Sequence, residues 1–408
     1  MRILMIASTD ATVPNACVTH LDGVADALSR AGHDVVLILP RPAAGTPLLQ
    51  PGTTRYAIEY LGYGAGLGIP RFCSFVMHIP HLAARVLRGE IDAVYLRSSV
   101  LSWPMVAAMR LCRLPIAVEH NGWIEDELRV NGYSPWIQRF GRWFQVLDAR
   151  CADWVRCVTA GIARKFTENG VAAGKLVVIG NGTSLERFHP QPRAEALAQR
   201  TLAEDKFYLG FIGSLATWHG LHIALRAMSA ILSACPQAHL TVAGHGAESK
   251  MLQALAAELG IAGAVTFLGH VPIDQANTVV NGFDLAIAPF ISERNNSIGT
   301  SALKIRDYAA AGRAILATET EGIAPLDDRD WIALCAPDDP AAFAERAIGL
   351  IGDPAERARL ALAARRYAED HFGWPAIVRP LLERLDPAAS AGGDCSRPKL
   401  KSTASVPE

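Results

Sequence analysis

Charge of one sign is what this chain lacks most plainly. Its 39 lysines and arginines stand against 40 aspartates and glutamates, leaving a net charge of −1 over 408 residues. General nucleic-acid binding needs a basic excess, so this balance argues against it. Eight cysteines are present, but no two form a CxxC pair and most lie in apolar segments. They read as buried free thiols of a reducing compartment, and no metal-ligand cluster is visible. No apolar run reaches the ~18 residues of a membrane span, and the N-terminal run Met1–Ala7 is too short for a secretory signal. These absences predict a cytoplasmic protein without a spanning segment and leave peripheral attachment to the inner membrane face open.

What is there is a large apolar fraction, 50% of residues, in a chain longer than one core usually serves. Two domains follow. Short apolar runs alternate with longer helical patterns, the mark of βαβ units and parallel sheets. In the first half, strands are expected at 3–7, 34–39, 93–96, 116–119, 154–158 and 176–179. Helices are expected between them, at 20–31, 75–88, 101–111, 135–150 and 161–169. A turn-rich break begins at Gly180-Asn-Gly-Thr, and the pattern restarts at Phe207. The expected organisation is an α/β chain of two Rossmann-like domains facing a cleft: an N-terminal domain (1–180), a linker (181–206), a C-terminal domain (207–370), and a closing helix (371–386) that returns to the N-domain. Residues 387–408 are small and polar and read as a disordered tail.

The most informative stretch is Ala288–Thr318, APFISERNNSIGTSALKIRDYAAAGRAILAT. A polar loop over Ser292–Thr300 is expected to run into a helix opening near Ser301, with Lys304 and Asp307 one turn apart, ending at Gly312. Backbone N–H groups before a helix, together with the positive end of its dipole, suit a phosphate. An acid one turn in suits the hydroxyls of a ribose. Loop, cation and acid point to a nucleoside diphosphate at the carboxyl ends of parallel strands.

Four segments in order carry a resemblance to a known family: VVIGNGTSLERFHP (177–190), YLGFIGSLATWHGLHIALRA (208–227), HLTVAGHGAESKMLQALAAELGIAGAVTFLGHVP (239–272) and the stretch at 288–318. Over residues 1–385 the chain resembles the retaining, nucleotide-sugar-dependent glycosyltransferase family 4 enzymes of the GT-B fold. The resemblance implies a sugar moved from a nucleoside diphosphate, bound by the C-domain, to an acceptor hydroxyl at the N-domain, without a cofactor or metal. The acceptor class it implies is a glycan, a lipid-linked glycan or a small molecule, in surface polysaccharide or glycan biosynthesis.

Carried over by position, the family's ribose acid falls at Asp307, where glutamate is more usual, and its sugar-gripping acid falls at Gly299. The sugar would then depend on backbone N–H groups of Gly299, Thr300 and Ser301, or on Asn295 and Asn296. The arginine and lysine that many relatives place around the diphosphate are Ser214 and His219 here. Lys304 and a protonated His219 are the replacement cations, with N–H groups of Gly213 to Leu215 assisting; helix capping is the alternative role for His219. In the N-domain, Ala117–Gly122 ends an apolar strand with polar residues, and His120 matches a histidine that the family places facing the cleft beside the sugar. Glu119 would orient it or add a wall hydrogen bond. The loop Asp10–Thr19 lacks the double glycine many relatives place under the phosphate, and Asn15 and Ala16 stand in its place.

Residues 133–154 carry Trp136, Phe140, Trp143 and Leu147 at helical spacing, with Arg139, Arg142 and Arg150 beside them. Such a stripe more often faces a core with a solvated basic face opposite. The alternative is a peripheral helix held on anionic lipid. Two other readings of the whole chain stand beside glycosyl transfer. One is a sugar-nucleotide epimerase or hydrolase of the same architecture. The other is a non-catalytic partner in a polysaccharide assembly complex, which the uncharged Gly299 and Ser214, and histidine at 219, would favour.

Overall fold

The computed structural model describes residues 1–12, 16–42, 45–62, 76–99, 102–130, 132–199, 203–323 and 329–385. Seven strands form the first sheet: β1 (Arg2–Ile6), β2 (Asp34–Pro40), β3 (Ala57–Leu61), β4 (Ala93–Arg97), β5 (Ile116–His120), β6 (Trp154–Cys157) and β7 (Leu176–Val178). Six form the second: β8 (Phe207–Ile212), β9 (Ala238–Ala243), β10 (Val265–Gly269), β11 (Leu285–Ala288), β12 (Ile315–Thr318) and β13 (Ala333–Cys335). All pairings are parallel, in the orders β3-β2-β1-β4-β5-β6-β7 and β10-β9-β8-β11-β12-β13. Each order reverses beside its first strand, between β1 and β4 and between β8 and β11. Such a switch point leaves a crevice at the carboxyl ends of the strands.

Parallel strands buried on both faces require near-continuous apolar runs. Leu285–Ala288 and Ile315–Thr318 have them and are wholly buried. Each sheet therefore has a separate core on each face. Two strands, β3 and β13, went unforeseen: Ala57–Leu61 alternates only loosely, and Ala333–Cys335 is three residues long. Both sit at sheet edges, where pairing to an existing strand supplies what local pattern does not.

The two sheets are tied by the last helix, Trp374–Leu385. Its Trp374, Ile377, Val378, Leu381 and Leu385 belong to the core that packs on the helix Ala16–Arg30 of the first sheet. Gly23 and Gly182 make room for the indole, since a methyl group at either would lie 2.1 or 2.6 Å from Trp374. The return of the closing helix to the N-domain is thus secured by shape.

Two expectations are corrected. Ser292–Ile298 is helical, not a loop. Its polar residues are satisfied tertiarily: the Ser292 amide donates to Asp338, and Asn295 Nδ2 donates to Trp218 O at 3.0 Å and Ile291 O at 2.7 Å. The aromatic stripe of the helix Pro135–Cys151 faces outward. Trp136 is 69%, Phe140 51% and Trp143 56% exposed, while Gly141, Gln145, Val146, Asp148 and Ala149 face inward. Small and amide side chains allow close approach; Gly141 sits against Leu128, where a methyl group would be 2.7 Å from Leu128 Cδ1. No helix among the described residues is long and apolar enough to cross a membrane.

Candidate active site

The switch point of the second sheet is built from aromatic rings around one amine. Strand β8 delivers Phe211 and then Gly213, whose φ of +144° is a conformation that favours glycine. Lys304 stands in the first turn of the helix Leu303–Ala310 and reaches back beneath this turn. Its Nζ lies 3.8 Å from the Phe211 ring centroid and 5.4 Å from that of Phe290, just past β11. A methyl group at Gly213 would lie 3.1 Å from that Nζ. Lys304 is only 8% exposed, and its amine has no hydrogen-bond partner among the described residues. Burial drives its pKa well below that of a free lysine. An uncompensated buried amine is costly, and cation–π contact offsets only part of that cost. An anion at this spot would complete it.

His219 shares these rings. Its centroid lies 5.9 Å from that of Phe211 and 5.7 Å from that of Phe290. Its Nδ1 is 2.5 Å from Ser214 O, which makes Nδ1 the protonated nitrogen of the neutral ring. The structure therefore brings Gly213, Ser214, His219 and Lys304 together. The expectation that amides from Gly213 to Leu215 point at a ligand is corrected, because Gly213 N donates to Ala243 O at 2.9 Å and Leu215 N to His245 O at 3.1 Å. Ser214, exposed between them, is the residue of this turn that faces outward.

The other predicted C-domain residues lie along the seam with the N-domain. Gly299 has φ +74°, and a methyl group there would lie 3.0 Å from Thr159 Cβ. Thr300 N donates to Glu321 O at 2.7 Å, and its hydroxyl donates to Asn295 Oδ1 at 3.0 Å. Ser301 Oγ accepts from Asn181 N at 2.9 Å, and its carbonyl accepts from Asn181 Nδ2 at 2.9 Å. Asn296 Oδ1 accepts from Glu321 N at 3.3 Å. Asn295, Thr300 and Ser301 are therefore committed to internal bonds rather than presented to a sugar, while Asn296 is exposed. The helix opens at Leu303 instead of Ser301 because Asn181 draws Ser301 out of it. Ile298, just before Gly299, is buried in the core of the first sheet and accepts from the hydroxyl of Thr159. Asp307 accepts from Thr183 Oγ1 at 2.6 Å, and burial pushes its carboxyl up to about 7.

In the first sheet, His120 ends β5 and lines a cavity of about 260 Å³ with Arg97, Ser98, Ser99, Asn121 and Gln145. Burial lowers its pKa to about 3, so the ring is neutral. Gln145 Oε1 accepts from Ile124 N at 2.9 Å, and Nε2 donates to Gly122 O at 2.9 Å and faces His120 Nδ1 at 3.2 Å. With the amide so oriented, Nδ1 must accept and the imidazole proton sits on Nε2. That Nε2–H is buried and has no hydrogen-bond partner among the described residues.

Glu119 does not orient His120. Neighbouring strand residues point to opposite faces, and Glu119 instead accepts from Arg97 at 2.8 Å, Arg156 at 2.7 Å and Tyr95, and meets His20 Nε2 at 2.8 Å. Its carboxyl is held well below the usual range by these neighbours, against the opposing effect of burial. Arg156 also donates to Ile179 O at 3.0 Å and Gly180 O at 2.5 Å, so the cluster anchors the chain where it leaves the sheet. Asn15 lies outside the described residues, and Ala16 opens the first helix. Sequence reasoning missed Gln145. The only available signal was its polarity at the inward spacing of Gly141, Gln145 and Asp148.

Two family models match the chain: a glycosyl transferase 4-like domain over residues 15–182 and glycosyl transferases group 1 over 206–353. A D-inositol 3-phosphate glycosyltransferase of Nocardia farcinica is 30% identical over 384 residues, covering 88% of this chain and 82% of its own length. A glycogen synthase of Mycobacterium tuberculosis is 24% identical over 408 residues, covering 93% and 92%. Among solved structures, a sucrose-phosphate synthase from Thermosynechococcus elongatus superposes with a TM-score of 0.77 at 18% identity, covering 96% of this chain and 99% of its own. The Anabaena HepE protein in complex with UDP does so at 0.74 and 19%, covering 94% and 99%. With two parallel sheets and a last helix that returns to the first, the chain belongs to the group 1 glycosyltransferases of the GT-B fold, and it is a transferase.

Proposed function

We propose that this enzyme transfers a sugar from a nucleoside diphosphate to an acceptor hydroxyl with retention at the anomeric carbon. The observation that carries the reading is Lys304: a buried amine without a partner among the described residues, set at the switch point of the second sheet and in the first turn of a helix. A diphosphate there would gain a charge-assisted bond and the helix dipole together. HepE, which shares the fold, was crystallised with UDP, and a nucleoside diphosphate is the ligand class this reading expects here.

In the reaction, the bond from the sugar's anomeric carbon to the diphosphate oxygen breaks. The acceptor oxygen bonds to that carbon on the same face, and the acceptor's proton passes to the departing phosphate oxygen. Lys304 neutralises the charge that accumulates on the leaving group. The neutral Nε2–H of His120 donates to a hydroxyl of the sugar or acceptor, which it can do without being an acid. Thr183 competes for Asp307, so a ribose contact at Asp307 requires that hydrogen bond to exchange.

Calorimetric titration with UDP and GDP tests the reading, comparing the parent protein with Lys304→Met. Binding of a nucleoside diphosphate that weakens in the variant is the expected result. Failure of every nucleoside diphosphate to bind would overturn it.

A further inference from the structure

We infer that the outward face of the helix Pro135–Cys151 docks on an anionic lipid surface and brings a lipid-anchored acceptor to the cavity on its inward face. The inference rests on the glycosyl-transfer reading for the acceptor, but not for the docking itself.

Trp136, Phe140 and Trp143 recur at the spacing of one helical stripe, and each is more than half exposed. Tyr133, half exposed, precedes them. The rings form one cluster: Phe140 lies 4.4 Å from Phe144, Trp143 lies 4.9 Å from Phe144, and Trp103 of the neighbouring helix stacks on Phe144 at 6.2 Å. Water-facing aromatic surface on this scale calls for a partner.

Charge says which. The only carboxylate on this helix, Asp148, is buried against Ser98 and Ser102. Its other charges are Arg139, Arg142, which is paired with Glu125, and Arg150, which donates to Asn169 O at 3.0 Å. Arg139 falls between Trp136 and Trp143 and pairs with no carboxylate among the described residues. The acids of the adjoining helix Ile124–Val130 are largely taken up: Glu125 by Arg142, and Asp126 by Arg129 and Lys165. Tryptophan and tyrosine with arginine between them suit the headgroup layer of an anionic bilayer, where rings sit at the interface and cations meet phosphates. At 17 residues, with one face packed inward, the helix lies on such a layer and does not cross it.

The same helix walls the His120 cavity through Gly141 and Gln145. A headgroup held at the outer face would therefore need to travel only around one helix to reach that cavity. This placement selects a lipid-linked acceptor over a free one.

The test is co-sedimentation of the full chain with vesicles of phosphatidylcholine alone and with phosphatidylglycerol added, with UDP binding measured in parallel. Binding to the anionic vesicles only, weakened by salt, is expected. Trp136→Ala/Phe140→Ala/Trp143→Ala should weaken it about tenfold or more, and Arg139→Gln by about fivefold, the contribution of one cation near an anionic surface. Retained UDP affinity shows that both variants are folded. No sedimentation with anionic vesicles, or undiminished sedimentation of the triple variant, would overturn the inference. So would a dimer that the triple variant disrupts without any vesicle binding, since a second copy would then cover the face. If vesicles bind and UDP does not, docking stands and the transfer reading falls.

Discussion

Gln145 sets the tautomer of His120. The amide is fixed at both ends, by Ile124 N on its oxygen and by Gly122 O on its nitrogen, and the 3.2 Å contact leaves His120 Nδ1 as the acceptor. Gln145 thus acts through His120 as a positioning residue, and its contribution is to keep the ring proton on Nε2.

Gln145→Glu removes the donor and presents a carboxylate to Nδ1. The ring should then take up a proton at Nδ1, raising the His120 pKa from about 3 toward the ordinary range. Turnover should fall about tenfold or more, with the donor's KM little changed. A pH profile of kcat and imidazole nitrogen chemical shifts would report both. His120→Ala should lower kcat at least as much. A Gln145→Glu enzyme with the parent's pH profile would refute the tautomer assignment.

Lys304→Met should cost roughly 10- to 100-fold in nucleoside diphosphate affinity, the contribution of one charge-assisted bond. The same change removes an uncompensated amine, so the ligand-free variant should melt a few degrees higher by calorimetry. The lysine also predicts a pH effect. Its folded pKa is depressed, so between that value and the unfolded value of ~10.4 the unfolded chain holds the extra proton. Stability of the ligand-free protein should therefore rise with pH through that window. Binding of a diphosphate should draw a proton into the site, visible as a buffer-dependent enthalpy.

Asp148 gives the opposite slope. Burial lifts its carboxyl to about 7, while Ser98 donates to it at 2.8 Å. Between ~4 and about 7 the folded chain keeps a proton that the unfolded chain has lost, so this contribution is full below ~4 and fades as pH rises to about 7. Asp148→Asn should remove the slope. Thermal melts should show the variant gaining on the parent from pH ~4 to ~7, by roughly 1 kcal/mol or more at the upper end. Asp307 shifts in the same direction and keeps its own slope in the variant.

Gly220 caps the helix Leu221–Ala234 with φ +66°, and a methyl group there would lie 1.8 Å from Pro289 O. Gly220→Ala combines a strained backbone with a collision against the chain leaving β11. A loss of roughly 2 kcal/mol or more in denaturant unfolding is expected, with weaker nucleotide binding because β11 carries Phe290 to the Lys304 site. A fully stable variant would show that the turn can rearrange.

By itself the sequence determined the two parallel α/β halves and their break near residue 180. Apolar runs of strand length alternating with helical patterns admit few other folds. It also made Lys304 and His120 legible as candidate residues: His120 ends a strand at the edge where such folds bind ligands, and Lys304 opens a helix after a polar stretch. Tertiary structure alone decided the rest. Ser292–Ile298 became a helix because Trp218 and Asp338 satisfy its polar groups, and those partners are far away in the chain. Glu119 left His120 because β5 turns alternate residues to opposite faces, where Arg156 waits. The aromatic stripe turned outward because the inward face of its helix was claimed by Gly141, Gln145 and Ala149, which fit the close approach of Leu128 and the bonds to His120. Periodicity tells that a helix has two faces, and only packing tells which one meets water.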